Sequence, residues 1–75
     1  MDKICEQVAE IAENETGVSL TEKESLKESG VDSLTLVAII VALEENYQIT
    51  FSEDDLQPEN LQTLEDLANL VRKYL

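Results

Sequence analysis

Ser33 is the residue whose surroundings could support chemistry. It stands in Gly30-Val31-Asp32-Ser33-Leu34, directly ahead of the apolar run Leu36 to Leu43. A glycine, then a capping side chain, then helical apolar spacing marks the start of a helix. A group attached to a serine there meets unpaired backbone N–H groups and the positive end of the helix dipole. Both favour a phosphate, so a phosphodiester on Ser33 would be tolerated. The plainer role is structural: Asp32 or Ser33 caps the helix by accepting from a first-turn amide.

Other chemistry is poorly supplied. The chain has no histidine, so no Ser-His or Cys-His pair can form. Zinc would need Cys and His ligands that the sequence lacks. There is neither a glycine-rich phosphate loop nor an EF-hand pattern. The pairs Asp54-Asp55 and Glu44-Glu45 are expected as solvated surface in so acidic a chain. Cys5 has nothing to activate it and reads as a small residue at the edge of the core.

The elements that must position Ser33 follow from periodicity. Residues from about Asp2 to Thr16 read as a helix, with Ile4, Val8, Ile11 and Ala12 at helical spacing and Cys5 bordering that stripe. Gly17 follows as a left-handed cap. Val18 to Ser29 is a long connection with Val18, Leu20 and Leu26 as expected anchors. Thr21 with Glu24 could open a short helical turn inside it.

The second helix is expected from about Ser33 to Asn46. At roughly 100° per residue, Leu36, Ile39, Ile40, Leu43 and Tyr47 share one side. Leu34, Val37, Ala38 and Val41 share the other with Ser33, where an ordinary surface helix would carry charge. Charge returns only at Glu44 and Glu45. Full burial is hard to achieve in so short a chain, so this side reads as a partner-facing apolar patch.

Tyr47, Ile49 and Phe51 alternate as in an extended segment. Ser52 with Asp55 is a capping-box candidate for a short helix around Glu53 to Gln57, which Pro58 would stop. Thr63 with Asp66 opens the last helix, whose buried face is Leu64, Leu67, Ala68, Leu70, Val71, Tyr74 and Leu75. Arg72 and Lys73 suit its C-terminal end. The expected fold is all-α: a small four-helix bundle of three longer helices and one short one, with a long first loop.

The whole chain narrows the function. Seventy-five residues (1–75) read as a single domain, with no room for a cleft between lobes. The formal charge of −12 comes from 17 acidic and five basic side chains, which excludes a nucleic-acid stripe. It suits basic partners and divalent cations, which would relieve the self-repulsion. The 43% hydrophobic content, periodically placed, argues for a folded chain rather than disorder. The longest apolar run falls far short of the roughly 20 residues of a membrane span. With one cysteine and no signal-peptide core, a cytoplasmic protein is expected. A monomer is expected too.

Gly30-Val31-Asp32-Ser33-Leu34 resembles the attachment motif of the acyl carrier proteins and of the related carrier domains of polyketide and nonribosomal peptide synthesis. The resemblance extends through Ala42-Leu43-Glu44-Glu45-Asn46-Tyr47, and less sharply through Leu56, Pro58, Leu61 and Leu64 to Val71. It covers nearly the whole chain. It implies that Ser33 carries 4′-phosphopantetheine, installed from coenzyme A by a separate phosphopantetheinyl transferase with a magnesium ion. Asp32 would lie beside that reaction, where it could help hold the metal. The arm would end in a thiol carrying an acyl or aminoacyl thioester, with the cofactor supplying the chemistry and the protein the presentation. The chain would be a carrier rather than an enzyme. Its partners would be acyl- or aminoacyl-loading and synthase enzymes with basic docking faces. Leu34, Val37, Ala38 and Val41 would make the apolar contact and Glu44 and Glu45 the charged one.

Thr35 and Ala38 stand where carriers of primary fatty acid synthesis usually have acidic residues, and Ser29 where leucine is common. These departures point to a dedicated, free-standing carrier for a specialised pathway. Its cargo would be an acyl chain, a hydroxy acid or an amino acid, the last as in the peptidyl carriers of nonribosomal pathways. Two other readings are an unmodified acidic helical interaction module, with Ser33 a mere cap, and a small metal-buffering acidic protein.

Overall fold

The computed structural model describes residues 3–20, 23 and 25–75. Among the described residues three helices, α1 (Lys3–Thr16), α2 (Ser33–Tyr47) and α3 (Leu64–Tyr74), enclose one core, with a 3-10 turn at Pro58–Asn60. This is the expected small helical bundle with a long first loop. α1 packs against both α2 and α3. It contributes Cys5, Val8, Ala9 and Ala12 as buried residues, while Ile4 and Ile11 flank them. The stripe is therefore rotated from its expected centre. Cys5 lies within the core at 1% exposure rather than at its edge. Small side chains let α1 approach two neighbours at once.

Gly17 ends α1 with φ +72°, and its N–H donates to Glu13 O at 2.7 Å. The Thr16 hydroxyl bonds both the N–H and the C=O of Val18, at 3.1 and 3.3 Å. This local turn leaves Val18 42% exposed, so it is not the expected anchor. The Glu13 carboxylate accepts from Leu20 N–H at 3.0 Å and helps seat Leu20 in the core. The capping candidate Thr21-Glu24 lies outside the described residues.

The loop ends in a tight structure that fixes where α2 begins. Val31 N–H donates to Leu26 O (3.0 Å) and Gly30 N–H to Lys27 O (3.2 Å). This is the bond pair of a Schellman closure, with Gly30 at φ +95°. Its usual apolar contact joins Leu26 and Val31, both buried. An antiparallel bridge, Ser25 to Thr63, ties this turn to the start of α3.

Downstream of α2 the expected extended segment cannot start at Tyr47. Tyr47 is helical, and Gln48 (φ +56°) closes the helix with its N–H on Glu44 O. Ile49 N–H shares that carbonyl at 3.0 Å, and Phe51 N–H donates to the Glu44 carboxylate at 2.9 Å. The alternation of Tyr47, Ile49 and Phe51 thus reflects a helix end and a return to the core. The expected short helix at Glu53 to Gln57 is likewise corrected. Ser52 and Asp55 do bond each other as a cap would, at 3.1 and 3.4 Å, but only a turn follows. Pro58 cannot extend a helix arriving from its N-terminal side, yet it can begin one. The helical turn is therefore Pro58–Asn60.

α3 opens with the expected Thr63/Asp66 capping box and buries Leu64, Leu67, Ala68, Leu70 and Val71. Leu75 is 66% exposed, beyond the last helical turn, and does not join that face. Tyr74 packs edge-on against Phe51 with ring centroids 5.2 Å apart. Its hydroxyl reaches Asp55, and Lys73 pairs with the same carboxylate at 2.6 Å. No described helix is long and apolar enough to cross a membrane.

Candidate functional site

The capping question left open by the sequence is decided at Asp32. Asp32 is extended (φ −87°, ψ −179°), and its Oδ1 accepts from Thr35 N–H at 2.8 Å. Its main-chain oxygen receives Leu36 N–H at 2.9 Å. The Thr35 backbone bond is also the main cause holding the Asp32 carboxyl below the ordinary aspartate range, so it is ionised at neutral pH. Ser33 is then the first helical residue, exposed, and its hydroxyl has no hydrogen-bond partner among the described residues. The cap is supplied by the neighbour, which leaves this hydroxyl uncommitted. Buried Val31 on one side and the cap on the other hold its backbone in place.

A groove of about 560 Å³ runs away from Ser33. Leu26 and Val31 are the buried residues of its lining, joined by Leu36, Leu56, Pro58 and Leu61. Ser25, Lys27, Asp32 and Gln62 supply its polar groups. The contributing segments are far apart in the chain: the turn before α2, the first turn of α2, and the stretch that includes the 3-10 turn. No local pattern in the sequence signals this groove.

The far side of α2 is laid out as the helical wheel has it. Ile39, Ile40 and Leu43 are buried, whereas Leu34 is 83%, Val37 57% and Val41 43% exposed, and Ala38 is half-buried. Leu34 directly follows Ser33, so the exposed stripe begins beside that hydroxyl. Glu45 is exposed, but Glu44 is half-buried and its carboxylate holds Phe51 N–H. Nothing in the spacing of Glu44 and Glu45 distinguishes the two. Among the described residues no cluster of His, Cys, Asp or Glu could hold a metal ion.

The family model for the phosphopantetheine attachment site matches residues 2–71. The acyl carrier protein of Kocuria rhizophila is 31% identical over 74 residues, covering 93% of this chain and 89% of that protein. Acyl carrier protein 1, chloroplastic, of Hordeum vulgare is 36% identical over the whole chain, which spans 49% of its length. This chain thus covers about half of that plant relative and most of the bacterial one. Among solved structures, holo acyl carrier protein NE2163 of Nitrosomonas europaea superposes with a TM-score of 0.82 at 25% identity. That match covers 96% of this chain and 95% of the other. A glycylated carrier protein bound to the glycine:[carrier protein] ligase of Bradyrhizobium japonicum superposes at TM-score 0.84 with 19% identity, a likeness of fold. It covers 92% of this chain and 99% of that one. An uncommitted serine hydroxyl at the head of a half-exposed apolar helix, on a chain matched almost end to end, places the protein in the phosphopantetheine-attachment family of acyl carrier proteins, whose members carry a covalent 4′-phosphopantetheine and are not themselves catalysts.

Proposed function

We propose that Ser33 is the attachment residue and that the chain, as one domain over residues 1–75, presents thioester-bound cargo to partner enzymes. The observation that carries this is the exposed Ser33 hydroxyl, relieved of capping by Asp32. Its surroundings fit the group: a phosphodiester at this position faces the first-turn amides of a 15-residue helix and has an open groove beside it. When bound, the arm supplies the thiol on which cargo travels.

The protein's own part is to offer the hydroxyl. In the transferase, Ser33 Oγ loses its proton and forms the new P–O bond, while the pyrophosphate bond of coenzyme A breaks and adenosine 3′,5′-bisphosphate leaves. Ionised Asp32 sits next to that oxygen in sequence and suits the magnesium ion the transferase brings. Leu34, Val37, Ala38 and Val41 form the apolar contact with partners. Glu45 supplies the free charge, with Glu44 serving mainly the chain's own fold. The stripe is more apolar than charged because Thr35 and Ala38 occupy positions that could have been acidic. This favours a dedicated carrier for a specialised pathway over one shared by many basic enzymes. Its cargo is an acyl or aminoacyl group; carriers similar to this chain include acyl carrier proteins and one whose partner is a glycine ligase.

The test is intact mass after incubation with coenzyme A, magnesium and a promiscuous phosphopantetheinyl transferase. The chain gains one phosphopantetheinyl group, and Ser33→Ala does not, with its helical circular dichroism unchanged. A wild-type chain that folds yet stays unmodified with several transferases rules the reading out.

A further inference from the structure

The basic side chains are few, and one of them lines the groove that starts at Ser33. Lys27 is an exposed residue of the turn that precedes α2, and no carboxylate pairs with it among the described residues. Lys73, by contrast, is engaged by Asp55. The backbone of Lys27 is held: its carbonyl receives Gly30 N–H, and the neighbouring Leu26 is anchored by Gln62 O at 2.8 Å. Lys27 thus lines the same groove as Ser33 from a backbone that is held in place.

We propose that Lys27 is a positioning residue for the phosphopantetheine arm, drawing its phosphodiester across the mouth of this groove so that the arm lies along Leu36 and Leu61. This rests on the reading that Ser33 carries the arm. The occupant is specified by the tether, since a group esterified to Ser33 is held at the groove's edge. Tethering gives an effective concentration on the order of millimolar, so weak contacts are enough. Charge gives the direction. A phosphodiester anion beside ionised Asp32, on a chain of net charge −12, is repelled by most of the surface, and Lys27 is the local exception. The groove volume falls within the roughly 300–1,000 Å³ of small-molecule sites, and its walls offer apolar contacts for the gem-dimethyl group and Gln62 for an amide. Ser25, Lys27 and Gln62 set polar groups among the apolar lining, which suits an arm of alternating amide and alkyl segments better than it suits a bare hydrocarbon tail.

The experiment compares apo and holo forms of the wild-type chain, Lys27→Gln and Lys27→Arg by two-dimensional amide NMR at low salt, after intact mass has established one arm per chain. In the wild type, loading shifts the amides of Leu26, Val31, Leu61 and Gln62 as well as those of the first turn of α2. The arm's gem-dimethyl protons show NOEs to methyls of Leu36 or Leu61. In Lys27→Gln the groove shifts fall to less than half and the NOEs disappear. Lys27→Arg retains them, and about 0.3 M NaCl mimics the glutamine variant, since a Debye length below 8 Å screens an exposed contact. Wild-type shifts confined to residues 32–35, or groove shifts unchanged in Lys27→Gln, overturn the proposal while leaving attachment at Ser33 intact. Absence of the mass gain overturns the attachment reading itself, and this one with it.

Discussion

Asp32 and Ser33 divide two jobs that either side chain could do alone. The aspartate carboxylate accepts the Thr35 amide, which leaves the serine oxygen to solvent. The division has a thermodynamic signature. Asp32→Ala removes a cap and lowers Tm, whereas Ser33→Ala removes no bond the protein makes and leaves Tm unchanged within error. Thermal melts of the two apo variants, read beside their loading rates, check this. A Ser33→Ala variant melting as low as Asp32→Ala would mean that the hydroxyl has a structural duty after all. Cys5 belongs at this scale as well. At 1% exposure it is shielded from thiol reagents, so the native apo chain reacts slowly with them and only the holo chain presents a fast thiol.

At the scale of elements, α2 and the C-terminal latch behave differently. α2 is apolar on both sides, and only packing into the common core tells the sides apart. Ile39→Ala removes a fully buried side chain and costs about 2–5 kcal/mol of stability in denaturant unfolding. Val37→Glu, on the open side, changes stability by about 0.5 kcal/mol or less, while it slows transfer to partner enzymes severalfold. A Val37→Glu chain that transfers cargo at the wild-type rate would remove the outer face from the docking surface.

The latch joins the segment after α2 to the end of α3 through Asp55, Lys73, Tyr74 and Ser52. The Lys73 hydrogen bond first, then those of Tyr74 and Ser52, hold the Asp55 carboxyl below its ordinary value, and Asp55 in turn raises Lys73. Because the folded-state value of Asp55 is depressed, its contribution is complete above the unfolded-state value, near 3.9, and is lost as pH falls through the folded value. Raised Lys73 contributes fully below its unfolded-state value and loses that contribution only as pH rises through its folded one. The latch is therefore intact across the neutral range. Melting wild type and Asp55→Asn between pH 7 and pH 2 should show the difference between them narrowing at the acid end; a constant difference would show that the carboxylate charge is irrelevant there.

For the whole molecule, net charge opposes compaction. With −12 spread over 75 residues, added NaCl or millimolar Mg²⁺ should raise the Tm of the apo chain. A Tm independent of salt would mean that the acidic side chains are too well screened by solvent to matter. The three helices, the Gly17 cap of α1, the Thr63/Asp66 cap of α3 and the two faces of α2 were legible in the sequence, because helical periodicity and caps are properties of residues within one turn of each other. Leu20 and Leu26 were legible as anchors for a similar reason, being isolated apolar residues in a polar loop. Val18 looked the same but faces outward, because the Thr16 hydroxyl turns the chain locally. Tyr47 read as the start of an extended segment with Ile49 and Phe51 because a helix end followed by a re-entering loop can give the same alternation. By itself, then, the sequence determined the helices, the serine at the head of one of them and the acidic character of the surface. Only the tertiary structure decided that Asp32 rather than Ser33 caps α2, that Glu44 holds Phe51 while Glu45 stays open, and that Lys27, Leu36 and Leu61 border one groove. The groove relates segments far apart in the chain and comes into being only when the helices close around a common core. The Asp32 and Glu44 bonds are short-range choices between adjacent candidates, made where the chain turns to bury Val31 and Phe51.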